Sequence, residues 1–172
     1  MNKFLRFSVL AILAIVCNAS FAQTVIWQED WSTAKKDQTP TDVNTKYTFA
    51  NGGGTTKIYN EALAGGTAPE LLVAKNKGSF TANIGLNGAS GDMTLRFKTN
   101  KTIEITTETA GVTLGELTKS GNDREITISV PSGTATLSLT FTSTTSSNAR
   151  LDDIELFQGE AKKVAGLSWG TA

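Results

Sequence analysis

Short runs in which apolar and polar residues alternate dominate the second half of this chain. Residues 93–97, 103–106, 126–130 and 137–141 place apolar side chains at every second position, with polar residues between them. Because successive side chains of an extended strand point to opposite faces, this period predicts β-strands with one buried and one wet face. Antiparallel sheets are the usual setting for such strands.

Weaker strand signals continue through the first half of the chain. Extended segments are predicted at residues 25–31, 47–49, 57–59, 70–74 and 79–84, with turns between them and a polar loop at 32–44. No segment carries the apolar stripe of an amphipathic helix. About ten short strands separated by turn signals predict an all-β fold, a two-sheet antiparallel β-sandwich over residues 23–158.

The N-terminal segment has the organisation of a secretory signal peptide. A positive n-region precedes the apolar run 7–17, and small residues lead up to a cleavage site after Ala22. We therefore expect residues 1–22 to be removed and the protein to be secreted to the periplasm, the cell surface or the medium. A lipid anchor on Cys17 is the alternative, which the bulky Val16 before it disfavours. The exported chain then has no cysteine, so its stability depends on a core, a bound ion or both.

The charge of the exported chain is close to neutral. The full sequence has 16 basic and 16 acidic residues, and removal of Lys3 and Arg6 leaves 14 against 16, a net charge of −2. No basic stripe occurs and no further run approaches the length of a membrane span, so we expect neither a nucleic-acid partner nor a transmembrane segment. Residues 159–172 break the strand pattern and are predicted to be a linker or the start of a further domain.

The residue types argue against catalysis. The chain contains no histidine, which excludes Ser-His-Asp and Cys-His nucleophilic sites and the usual zinc site. The Gly52-Gly53-Gly54 run lacks the Lys-Ser/Thr of a phosphate-binding loop, and no Gly-x-Ser-x-Gly motif occurs. Paired carboxylates could hydrolyse a glycoside, but those of this chain suit an ion site at strand ends better than a cleft. We expect no enzymatic activity.

The closing strand, residues 148–157, carries two adjacent carboxylates among apolar residues. By alternation, Asp152 shares the apolar face of this strand, and Glu29 shares the face of the two tryptophans of the first strand. An ionised carboxylate that faces a core costs several kcal/mol unless it is paired. Two such acids repel each other unless a cation lies between them. A shared Ca²⁺ between the first and last strands would satisfy both.

Two alternatives to this ion site stay open. Asp152 and Asp153 also suit a solvated strand start, with Arg150 or Arg96 as counter-ion. A slip of one residue in the register would move Asp152 to the solvent face.

The two ends of the predicted domain resemble a known family. Glu29-Asp30-Trp31 on the first strand and Leu-Asp-Asp-Ile-Glu-Leu at 151–156 resemble jelly-roll modules of the galactose-binding-like type, which include many carbohydrate-binding modules. The resemblance implies a structural Ca²⁺ held by Glu29 and Asp152, with Asp30 and Asp153 as near alternatives. The signal peptide and the tail at 164–169 also resemble exported proteins of Bacteroides-type bacteria, in which such a module often precedes immunoglobulin-like domains.

Sugar-binding members of this family stack aromatic rings on sugar faces and use polar side chains to reach hydroxyls. The aromatic residues outside the predicted core are Tyr47 and Tyr59, near Asn51, Lys57 and Asn60, and these five residues form the predicted ligand-binding set. The alternative is that both tyrosines pack on sheet edges with their hydroxyls in water. The two tryptophans of the first strand are assigned to the core.

The resemblance implies a non-catalytic exported module that binds a glycan and contains a structural calcium ion. The alternative function is that of a structural or adhesive cell-surface β-sandwich, acting as a spacer or a protein-binding domain.

Overall fold

The computed structural model describes residues 23–158, and these residues form twelve strands and one short helix. The elements are β1 (Thr24–Glu29), α1 (Pro40–Val43), β2 (Tyr47–Ala50), β3 (Lys57–Tyr59), β4 (Glu70–Val73), β5 (Ser79–Gly85), β6 (Gly91–Thr99), β7 (Ile103–Thr106), β8 (Thr113–Leu114), β9 (Thr118–Ser120), β10 (Asp123–Val130), β11 (Thr136–Ser143) and β12 (Ala149–Gln158). The signal peptide and the tail predicted above lie outside the described residues.

The strands form two antiparallel sheets. The larger sheet has eight strands in the order β3-β4-β12-β6-β10-β8, with β1 paired to β12 and β9 paired to β10. The smaller sheet has the order β2-β5-β11-β7. The predicted all-β, two-sheet antiparallel sandwich is confirmed. Within the described range, no helix is long and apolar enough to cross a membrane.

The core lies between the two sheets and is built around aromatic rings. Phe80 and Phe141 of the smaller sheet stack with ring centroids 5.7 Å apart, and Phe97 of the larger sheet meets Phe141 edge-on at 5.4 Å. Trp31 is fully buried against Phe80. Tyr47 belongs to the same cluster, since it is only 2% exposed and its ring lies 5.1 Å from that of Phe80. Tyr47 does lie on an edge strand, β2, but its side chain is in the core and its hydroxyl is bonded to Glu29, so the expectation that this hydroxyl lies in water is wrong.

A β-bulge in β12 decides which way its carboxylates point. Asp152 pairs with Lys98 of β6, whereas Glu155 pairs with Arg96, so one extra residue of β12 lies between these two positions. Asp153, inside the bulge, has a left-handed backbone with φ of 45°. Paired residues share a face of the sheet, and Lys98 faces away from the core between the buried Phe97 and Thr99.

The bulge therefore reverses the predicted orientation of Asp152. Asp152 lies on the outer face of the larger sheet, whereas Ile154 and Leu156 lie in the core cluster. The sequence alternation placed all three on one side because it contains no sign of the inserted residue.

Three smaller differences from the sequence-based expectation concern element boundaries. Strand β1 ends at Glu29, and Trp31 follows it with a left-handed φ of 57°. The predicted loop at 32–44 contains the four-residue helix α1. Strand β9 has no counterpart among the predicted strands, and it pairs with Asp123–Glu125 of β10.

Candidate functional site

Asp152 is fully buried although it faces outward, because a loop lies over it. This cover loop, residues 60–69, joins β3 to β4. A Cβ atom on Gly66 of the loop would lie 2.1 Å from Oδ2 of Asp152, so the glycine backbone sits directly against the carboxylate. The cover loop also contacts the turn between β9 and β10. The side-chain amide of Asn122 in this turn donates a hydrogen bond to the carbonyl of Leu63 at 3.5 Å.

The Asp152 carboxylate has no hydrogen-bond partner among the described residues. Both Oδ1 and Oδ2 are buried and unpartnered, and the residue is 0% exposed. Burial raises the pKa of Asp152 to about 7, and the nearby carboxylates of Asp153 and Glu70 add to the rise. The backbone N–H of Asp153 and, less strongly, the Lys98 ammonium oppose this rise in pKa only in part. A carboxylate in this environment is either protonated or paired with a cation.

A second buried carboxylate, that of Glu70, lies near Asp152 and belongs to a charged network. Glu70 is 0% exposed, and its Oε2 accepts a 2.7 Å hydrogen bond from the Ala64 backbone N–H of the cover loop. Its Oε1 lies 3.3 Å from Nε of Arg150. Arg150 also donates from Nη2 to Glu61 at 2.6 Å and stacks on the Tyr59 ring at 4.5 Å. The network ties β12 to both ends of the cover loop.

The structure does not bring Glu29 to Asp152. Oε2 of Glu29 accepts a 2.8 Å hydrogen bond from the Tyr47 hydroxyl, and Oε1 accepts one of 2.8 Å from the Trp31 backbone N–H. These partners lie on the interior side of the larger sheet, whereas Asp152 lies on the outer side. The expectation that Glu29 and Asp152 face inward together is therefore wrong, since the bulge separates them.

The other two predicted ion ligands already have partners. Asp30 is exposed and accepts a 2.9 Å hydrogen bond from the Ser32 backbone N–H, and Ser32 lowers the pKa of Asp30. Asp153 accepts a 2.5 Å hydrogen bond from the Lys98 ammonium. Its counter-ion is therefore Lys98, and not Arg150 or Arg96 as the sequence suggested. Among residues 23–158, no three acidic side chains cluster closely enough to form a metal site by themselves.

An open groove of about 770 Å³ crosses the outer face of the larger sheet. Five of its lining side chains lie in register on five adjacent strands, and we call them the polar row. The pairs Gln28–Glu155, Glu155–Arg96, Arg96–Glu125 and Glu125–Thr118 define it. The full lining consists of Gln28, Glu29, Asp30, Arg96, Phe97, Lys98, Thr118, Lys119, Ser120, Asp123, Arg124, Glu125, Asp153, Ile154 and Glu155.

Arg96 is the fixed centre of the polar row. Its Nε donates a 2.7 Å hydrogen bond to Oε2 of Glu125, and its guanidinium lies 4.9 Å from the centroid of the Phe157 ring. Phe157 pairs with Thr94 on the outer face and is only 1% exposed. The groove therefore presents polar atoms held in place by the sheet and no exposed aromatic ring.

The structure scatters the predicted ligand-binding set. Tyr47 is buried and its hydroxyl donates a hydrogen bond to Glu29. Tyr59 is half-buried and Arg150 stacks on its ring, while Lys57 lies 5.5 Å from the same ring and pairs with Asp37 at 2.6 Å. Asn51 accepts a 2.9 Å hydrogen bond from the Thr56 backbone N–H, and Asn60 is exposed. Only Tyr59 and Lys57 come together, and the stacked guanidinium leaves that ring little free face.

Sequence reasoning missed Glu70, Gly66 and the polar row. Glu70 opens a buried strand, and a lone acid beside the apolar run 71–74 was the signal that could have marked it. The polar row has no such signal, because it depends on which strands are neighbours.

No family model matches this sequence, and no curated protein or solved structure is significantly similar to it. The resemblance to carbohydrate-binding modules therefore stays a prediction.

Proposed function

We propose that this protein is a non-catalytic binding module that holds a glycan in the outer groove. The polar row carries the proposal, because one polar side chain from each of five adjacent strands lines the groove in register. Neighbouring strands lie about 4.8 Å apart, so the row extends over about 19 Å. A linear polysaccharide lying across the strands would meet a hydrogen-bonding group at each step.

Binding without chemistry fits the positions of the acidic groups. The carboxyl with a pKa of about 7, Asp152, has a value suited to a general acid, but it is enclosed beneath the cover loop and does not line the groove. In the groove, Glu125 and Asp153 are held in ion pairs with Arg96 and Lys98. The same proposal includes export of the protein, with this module followed by a further domain after residue 158.

The proposal includes a structural calcium ion at the buried carboxylate. Two orphaned, buried oxygens on Asp152 fit a hard cation that prefers oxygen ligands. Asp152 would be the principal ligand and Glu70 the second carboxylate, with backbone carbonyls of the cover loop completing the set. The bound ion would neutralise buried negative charge and fix the cover loop on the sheet. Glu29 and Asp30 have no place in this set.

Affinity gel electrophoresis against a panel of soluble polysaccharides tests glycan binding. We expect retardation by at least one polysaccharide, and its loss in the double variant Gln28→Ala/Glu155→Ala of the polar row. The matched control Thr48→Ala/Glu104→Ala, on the outer face of the smaller sheet, and Asn60→Ala of the sequence-predicted set should bind like the native protein. Retardation by no polysaccharide contradicts the proposal and favours the structural or adhesive alternative.

Thermal unfolding with calcium or with EDTA tests the ion. At a calcium concentration ~100-fold above the Kd, binding to the folded state stabilises it by about 2.7 kcal/mol. We expect Asp152→Asn to abolish this gain, and Asp92→Asn, an exposed acid on β6, to leave it unchanged. Equal melting temperatures of the native protein in calcium and in EDTA would show that no such ion binds.

A further inference from the structure

The charges that line the outer groove do not balance. Six acidic and four basic residues line it, but the carboxylate of one acidic residue, Glu29, turns to the interior side, so five carboxylates and four basic groups face the groove. We infer that the groove selects a polysaccharide that carries protonated amino groups, such as a chain of glucosamine units, over neutral and uronic acid polymers. This inference rests on the proposed glycan binding and adds the charge of the ligand.

Three of the four basic groups are already engaged. Arg96 is bonded to Glu125 at 2.7 Å, and Lys98 to Asp153 at 2.5 Å. Nη1 of Arg124 donates to the carbonyls of Gly121 and Asp123 at 2.7 and 2.8 Å. Carbonyl groups leave the charge of Arg124 in place, and Lys119 has no partner in the described part of the chain, so two cations without an acidic partner stand against three carboxylates without a basic one.

The groove carboxylates are less fully engaged. Asp30, Asp123 and Glu155 form no ion pair within residues 23–158. Glu155 is exposed and stands in the polar row between Gln28 and Arg96. Asp123 lies beside Lys98 on the neighbouring strand. The acceptors that stay open therefore stand both in the polar row and next to it.

A ligand with amino groups complements this arrangement. An ammonium group donates hydrogen bonds and carries the charge that the open carboxylates lack, whereas a uronic acid chain would place carboxylates against carboxylates. An excess of one sign of charge in a cleft favours ligands of the opposite sign. The sugar hydroxyls would use the remaining positions of the polar row.

Isothermal titration of the full protein with three soluble oligosaccharides of equal length tests the inference. The probes are oligomers of glucosamine, N-acetylglucosamine and galacturonic acid in mildly acidic buffer at low salt. We expect the glucosamine oligomer to bind tightest and to weaken as salt is added. Glu155→Gln and Asp123→Asn should each weaken it by about 1.5-fold to fivefold, as for loss of one partly exposed charge contact. Glu104→Gln, on the opposite outer face, should leave binding unchanged.

The outcomes separate this inference from the proposed function. Equal or tighter binding of the N-acetylglucosamine or galacturonic acid oligomer would overturn the amine preference while leaving glycan binding intact. Salt-independent binding of the glucosamine oligomer, or binding indifferent to both acid variants, would also overturn it. If no oligosaccharide or polysaccharide binds, the proposed function itself fails.

Discussion

A single buried carboxylate, Asp152, organises much of the outer face. Its side chain pairs in register with Lys98, lies beneath Gly66 and has Glu70 and Asp153 as acidic neighbours. The cost of burying it is set by its protonation state, because only the ionised form needs a cation. The stability of the ion-free protein should therefore depend on pH through this one group.

The sign of that dependence follows from the raised pKa. In EDTA, the folded-state pKa of Asp152 is about 7, against about 3.9 in the unfolded chain. Between these pH values the folded state binds more protons than the unfolded chain. The contribution of Asp152 to the free energy of unfolding is therefore present at low pH and is lost as pH rises from about 4 to about 7. The loss is on the order of 4 kcal/mol. Urea unfolding of the native protein and of Asp152→Asn checks this, with the difference between their unfolding free energies as the readout.

In this experiment Asp152→Asn should become the more stable of the two proteins as pH rises. A difference that stays constant from acidic to mildly alkaline pH would mean that the carboxyl is not buried in the charged form.

Arg150 is the residue on which the neighbouring buried acid depends. Replacement by methionine would leave Glu70 buried with no cation, which costs about 3–5 kcal/mol when one partner of a buried pair is removed. We expect Arg150→Met to lower the unfolding free energy by that amount. The double variant Glu70→Gln/Arg150→Met should recover much of it, because it removes both charges. Denaturant unfolding of Glu70→Gln, Arg150→Met and the double variant measures the coupling between the two side chains. A loss of unfolding free energy in the double variant equal to the sum of the two single losses would contradict it.

At the scale of elements, the alternating pattern was enough to locate most strands and the two-sheet arrangement. Residues 57–59 and 79–84 were predicted as extended, and both lie within observed strands. The bulge in β12 could not be predicted, since it is visible only in the pairing of β12 with β6 and not in the residues of β12 themselves. Asp152 was predicted to face the core; it faces outward and is buried by the cover loop.

Tyr47 shows the same limit. Its strand is short and its neighbours are polar, so alternation could not assign it to the core. What buries it is the tertiary position of Trp31 and Phe80 and the bond to Glu29. The groove could not be predicted from the sequence either, because the polar row depends on the order of strands in the sheet.

The cover loop makes its closest contact through Gly66. A Cβ at this position would stand 2.1 Å from Oδ2 and 2.9 Å from Cγ of Asp152, so the loop or the carboxylate must shift. We expect Gly66→Ala to destabilise the protein by about 1–3 kcal/mol, the usual cost of overpacking. Gly85→Ala is the control, since nothing lies within 4 Å of its added Cβ. Thermal unfolding of both variants measures this, and equal melting temperatures would contradict the close contact.

At the scale of the whole molecule, the two outer faces of the sandwich differ in kind. The smaller sheet presents threonines from all four strands in one row, Thr48, Thr81, Thr140 and Thr106, with little charge. The larger sheet presents the charged groove and, next to it, the cover loop over Asp152. Lys98 and Asp153 connect the two regions, since both line the groove and both lie beside Asp152. Recognition is therefore assigned to the outer face of the larger sheet.

The most direct test of this assignment is an NMR titration of the isotope-labelled protein with a soluble glucosamine oligomer, or with an oligomer of whichever polysaccharide retards it. We expect the backbone amide signals of the polar row, Gln28, Glu155, Arg96, Glu125 and Thr118, to shift in proportion to occupancy. Signals around Tyr59 and those of the outer face of the smaller sheet should stay in place. Shifts confined to either of those two surfaces, with the polar row unmoved, would contradict it.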